Sequence, residues 1–134
     1  MPLFLRQNGT EEAIRLYEAD ANLVVWWGTR TECFSALARW IRERHVALEE
    51  TSSYRERLAR LFRAVREVAP SDPVRETAER LLLAHPLRAA DALQLAAAHI
   101  WAGDSRLGRE FVSLDTRLRE AALREGFAVL PASL

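Results

Sequence analysis

Short runs of uninterrupted apolar residues alternate along this chain with longer stretches in which apolar positions recur every three or four residues. The short runs are "NLVVWW" (22–27), "FVSL" (111–114) and "FAVLP" (127–131), each bounded by Gly28, Asp115 or Gly126. They read as short, fully buried strands. The longer stretches read as amphipathic helices. "GTEEAIRLYEADA" opens on Thr10 and carries Ala13, Ile14 and Tyr17 at helical spacing, and "TRTECFSALARWIRERHV" places Phe34, Leu37, Ala38 and Ile41 on one face. "SSYRERLARLFRAVREVA" repeats the pattern with Leu58, Leu61, Phe62 and Val65, against a charged face of Arg57, Arg60, Arg63 and Glu67 that reads as solvated surface.

The remaining segments follow the same rules. "EVAP" either closes that helix or begins a short strand. "DPVRETAERLLLAHP" is expected to be a helix capped by Asp72 with Pro73 at its first position. "DTRLREAALREG" is expected to be a helix over 115–126 that starts at Asp115 and stops at Gly126. Short apolar strands alternating with helices indicate an α/β protein with a mainly parallel sheet flanked by helices. At 134 residues the chain is expected to form one domain, 1–134.

Composition narrows the classes. Apolar residues make up 49% and charged residues 28%, which excludes a disordered tail. No apolar stretch approaches the roughly 20 residues needed to span a bilayer, and "MPLFLRQNGT" lacks the basic and apolar parts of a secretory leader, so no membrane partner and a cytoplasmic location are expected. Cys33 stands alone, so it reads as a small apolar core residue. The net charge is zero, with all 19 basic residues arginine. That argues against broad electrostatic adhesion to DNA or membrane, although a local arginine surface can still grip phosphates.

Three acids sit where ligands bind in parallel α/β sheets, beyond strand ends and near helix starts. Asp91 interrupts the otherwise apolar "LRAADALQLAAAHIWAG", sharing a helical face with Leu87, Arg88, Leu95 and Ala98. A buried lone carboxylate costs several kcal/mol unless it is paired, hydrogen-bonded or bound to metal. Glu32 lies four residues past Gly28, and Asp115 directly ends "FVSL". Each also has a local alternative: Thr29 to Glu32 fits a capping box, Asp115 is a good N-cap, and Asp91 could pair with Arg88. Of the histidines, His45 and His85 read as helix-end residues and His99 as a tolerated polar position.

"VVWWGTRTECFSALAR", "LRAADALQLAAAH" and "FVSLDTRLREAALREGFAVLP" together resemble the three acidic segments of PIN-domain ribonucleases, particularly the VapC-like toxins of toxin–antitoxin pairs. The resemblance runs in order over almost the whole chain. It implies a PIN-like, Rossmann-like three-layer domain and a metal-dependent endoribonuclease that cleaves RNA phosphodiester bonds through a metal-activated water. It also implies Mg²⁺ or Mn²⁺ held by Glu32, Asp91 and Asp115, which would be the catalytic residues, with an antitoxin protein as partner and a homodimer as assembly. The family pattern begins with a central strand ending in an aspartate, whereas this chain starts at Met1-Pro2 with no acid before Glu11. The expectation is therefore either a start some ten residues upstream or an unusual pairing that fills the gap between "VVWW" and "FVSL". The alternative function is a catalytically incomplete PIN-like binding or dimerisation module that engages an antitoxin-type partner.

Overall fold

Four short strands and five α-helices alternate along the residues that the computed structural model describes, 23–43, 47–105 and 107–132. The expected helix over 9–21 and His45 lie outside them. In chain order the elements are β1 (Val24–Trp26), α1 (Thr29–Arg42), α2 (Leu48–Ala64), β2 (Arg66–Val68), α3 (Asp72–Ala84), α4 (Ala89–Ala102), β3 (Glu110–Val112), α5 (Thr116–Arg124) and β4 (Ala128–Leu130). A turn of 3-10 helix, Gly103–Ser105, follows α4. "EVAP" is thereby resolved: α2 stops at Ala64, Val65 turns extended (φ −82°, ψ 154°), and the chain enters β2 at once.

The strands form two parallel pairs rather than one continuous sheet, β1 with β2 and β3 with β4. In the first pair the Arg66 amide donates to the Leu23 carbonyl and the Trp27 amide to the Val68 carbonyl, so both strands advance together. In the second, Glu110, Phe111 and Val112 stand opposite Ala128, Val129 and Leu130. No described strand joins "VVW" to "EFV". A two-stranded sheet is marginal by itself, so packing against helices must hold each pair. Trp26, Val68 and Phe111 all lie against the main core. The architecture is mixed α/β with short parallel strands, compatible with a three-layer arrangement.

The chain divides into two compact units, and the division passes through β1 and β2. One contains Gly28–Glu67 and is helical. On α1 the buried residues are Thr29, Cys33 and Leu37, spaced by four so that they form one stripe. Cys33 is fully buried, as a small apolar filler should be. On α2 the buried side chains are Leu58, Leu61 and Phe62, while Arg57, Arg60, Arg63 and Glu67 are exposed. Trp40 and Tyr54 meet edge to face at 6.4 Å between ring centres, tying α1 to α2.

The other unit contains Val25–Trp27 and the chain from Val68 onward. Its core joins Val74, Ala78 and Leu81 of α3, Ala92, Leu95 and Ala96 of α4, Leu118, Ala121 and Ala122 of α5, and Phe127 and Val129. The alanines explain why α4 is buried on most sides: they present little bulk, so neighbouring elements approach its backbone closely. The start of α3 departs from the sequence expectation. Ser71, not Asp72, is the N-cap; it is extended (φ −156°, ψ 162°) and its hydroxyl accepts from the Val74 amide at 3.3 Å. Asp72 and Pro73 are already inside the first turn.

Candidate functional site

Asp91 lies in the first turn of α4, after the N-cap Arg88, and is only 7% exposed. The first-turn amides of a helix have no intrahelical acceptor, and the helix dipole places partial positive charge there. A carboxylate in this position is therefore partly compensated by its own helix. The pairing of Asp91 with Arg88 expected from their spacing is not formed: Arg88 is exposed, and among the described residues no ion pair joins the two.

Asp115 follows β3 and caps α5. Its Oδ1 accepts from the Leu118 amide at 2.9 Å, and its own amide donates to the Ser113 hydroxyl at 3.1 Å. Ser113 is fully buried, and its amide continues the β3–β4 ladder by donating to the Leu130 carbonyl at 3.0 Å. Arg119 reaches back from the first turns of α5 and donates to the carbonyls of Ser113 (2.8 Å) and Pro131 (2.7 Å). One guanidinium thus ties together the ends of β3 and β4 and the loop that carries Asp115. Sequence reading missed Arg119 because a side chain that grips carbonyls six and twelve positions away leaves no periodic signal.

Replacing Asp115 by alanine is expected to cost about 0.5–2 kcal/mol of unfolding free energy, the usual value of a side-chain cap. Asp115→Asn, which keeps an acceptor at the same place, is expected to stay near the parent. Chemical denaturation decides: equal losses for Ala and Asn would mean that the charge, not the cap, is what α5 needs.

Glu32 is half-buried in the first turn of α1 and belongs to the other unit. The expected capping box is not formed, because the N-cap is Gly28, without a side-chain cap, and Thr29 is already helical. The Glu32 amide instead donates to the Gly28 carbonyl at 3.1 Å, as the first regular helical bond. Asp91 and Asp115 thus share one unit, at the N-terminal ends of α4 and α5, and Glu32 does not belong to it. Among the described residues no three His, Cys, Asp or Glu side chains are grouped to hold a metal ion.

The far ends of the same helices hold a second polar cluster. His85, the C-cap of α3, and His99, in the last turn of α4, are both buried, so His99 is not merely a tolerated polar position. His85 Nε2 lies 2.7 Å from Glu125 Oε2, and His99 Nε2 lies 3.0 Å from Glu125 Oε1. Arg80 approaches Oε1 at 3.5 Å. Glu125 is the C-cap of α5, and Gly126 beyond it takes a positive φ of 101° that ends the helix. Burial pushes the Glu125 carboxyl up, but the His85 hydrogen bond and the charges of Arg80, His99 and His85 outweigh it and hold the group below its usual 4.5. Phe127 meets the His99 ring edge to face at 5.4 Å.

No model of a known protein family matches the chain, and no curated protein is similar enough to count as a relative.

Proposed function

We propose that this protein is a metal-dependent endoribonuclease of the PIN type, the toxin of a toxin–antitoxin pair, with Asp91 and Asp115, which share one unit, as its central carboxylates. The observation that carries the reading is Asp91: a carboxylate buried at the start of an apolar helix, in the same unit as the strand-end acid Asp115. The resemblance of the three acidic segments to PIN toxins supplies the reaction class. RNA is the substrate, an antitoxin protein the partner, and a homodimer the assembly.

Mg²⁺ and Mn²⁺ suit this donor set in type, because hard cations take carboxylate oxygen and Mg²⁺ commonly binds through one or two carboxylates plus waters and substrate phosphate. Asp115 Oδ1 is engaged by the Leu118 amide, which leaves Oδ2 as the donor that residue offers. When bound, such an ion supplies a water-derived nucleophile and neutralises phosphate charge. The chain's own residues orient the acids: Arg119 and Ser113 fix the Asp115 loop, and the α4 N-terminus holds Asp91.

The test is cleavage of a mixed RNA substrate by the purified chain with Mn²⁺ present or chelated. Cleavage that requires Mn²⁺ supports the proposal. A second reading, the catalytically incomplete PIN-like module, is favoured by the commitment of Asp115 to capping α5. It is supported if the chain cuts no RNA at any Mn²⁺ concentration yet forms a stable complex with the product of a neighbouring antitoxin-type reading frame.

A further inference from the structure

We propose that Trp101 and Arg109 form a platform that holds one unpaired nucleotide of a single-stranded RNA, the indole stacking on the base and the guanidinium taking a phosphate. This rests on the reading of the chain as one that acts on RNA, and it names a substrate contact which that reading leaves open. Trp101 lies in the last turn of α4 and is 43% exposed, on a helix otherwise buried on most sides. The Arg109 guanidinium stands over its ring, 5.0 Å from the centre.

The chain is folded to bring the two together. Gly103 ends α4 with φ 57° and Gly108 turns with φ 78°, conformations that residues with a side chain rarely adopt, and the segment between them returns to the end of α4. The Gly108 amide then donates to the Gly126 carbonyl at 3.1 Å, and the Arg109 carbonyl accepts from the Ala128 amide at 2.8 Å, which pins this backbone beside β4. The Arg109 side chain is fixed as well: its Nε donates to the Ser105 carbonyl at 3.3 Å while the indole supports the guanidinium.

The two outer nitrogens of Arg109 are left over. Asp104 and Glu110 are exposed acids in the same segment, yet among the described residues no carboxylate forms an ion pair with Arg109. A guanidinium in this state suits phosphate, which it grips through parallel N–H donors, and fixing it beforehand lowers the ordering cost of binding. An aromatic ring beside a cation serves an unpaired nucleotide in particular, because every base has a flat face and every nucleotide a phosphate. Nothing stands within 4 Å of the place a Cβ would take at Gly103 or Gly108, so the loop that joins the pair leaves open space at both glycines. Trp101 is ten residues along α4 from Asp91, about 15 Å of helix. The platform therefore holds a neighbouring nucleotide and not the phosphate that reacts.

The experiment measures, by fluorescence anisotropy, binding of a short fluorescein-labelled single-stranded oligoribonucleotide to the full chain, with EDTA present so that no metal-dependent turnover occurs. Trp101→Ala and Arg109→Ala are each expected to weaken binding about tenfold, at parent-like Tm because both side chains are exposed. Trp101→Phe should keep most of the affinity, and Arg109→Ala should lower the slope of log affinity against log salt by about one. Arg75→Ala, which removes the same charge from the exposed side of α3, should change little. Equal losses in Arg75→Ala and Arg109→Ala reduce the effect to net charge and overturn the platform. It is overturned too if the parent does not bind, or if Trp101→Ala and Arg109→Ala bind RNA normally and lose self-association instead, which makes the pair a protein contact. Cleavage with Mn²⁺ is scored separately. Unchanged binding by variants of a chain that cuts RNA sinks the platform alone, whereas binding that needs both residues in a chain that cuts nothing upholds the platform and sinks the nuclease reading.

Discussion

Leu95→Ala is expected to lower the unfolding free energy by about 2–5 kcal/mol, the range for truncating a fully buried leucine. Leu95 has no exposed surface, and on α4 it lies one turn from the buried Asp91 and His99 and beside the buried alanines Ala92 and Ala96. It is therefore the main filler between α4 and the leucines of α3 and α5. Alanine neighbours have no side-chain length with which to move into the space, so the cavity should persist. Against a total stability of about 5–15 kcal/mol, such a loss takes a large share. Leu83→Ala is the control: Leu83 is 92% exposed, and its truncation should change stability by no more than about 0.5 kcal/mol. Urea unfolding of both variants tests the packing. Similar losses at the two positions would mean that α4 is not the centre of this core.

Asp91→Asn has the second large effect, and its value lies in separating chemistry from folding. Under the nuclease proposal it should reduce Mn²⁺-dependent RNA cleavage by at least about 100-fold, beyond the 10–100-fold typical of residues that only support a metal ligand. Asparagine keeps an acceptor oxygen at the helix start while losing the charge that the helix dipole favours there, so the stability change should be about 1 kcal/mol. The two readouts are independent. If cleavage survives while stability falls by several kcal/mol, Asp91 is a structural carboxylate and the proposed site is wrong. If cleavage collapses at unchanged Tm, the carboxylate itself is needed for the reaction.

Much of the local structure was legible in the sequence. The runs containing "VVW", "FV" and "AVL" are strands, because continuous apolar β-formers bounded by glycine or aspartate have few other uses in a chain of this composition. Asp115 as N-cap and Gly126 as helix stop also follow from local chemistry: one supplies an acceptor to the third amide beyond it, the other tolerates positive φ. The choice between Ser71 and Asp72 as the α3 cap was not legible. Both residues can cap, and the answer depends on which of them leaves the extended backbone first.

The sequence alone determined most of the helices, three of the four described strands and which helix faces are apolar, since those patterns are written in neighbours a few positions apart. It also placed Asp91 at the start of its helix. Only the tertiary structure decided how the strands pair, because the β-formers of "VVW" carry no mark that selects "REV" as their partner. The same holds for Arg119 on Pro131 and for Glu125 on His85, forty residues away. Such contacts arise when helix ends converge around a core, and buried polar groups must then find partners among whatever the packing has brought near.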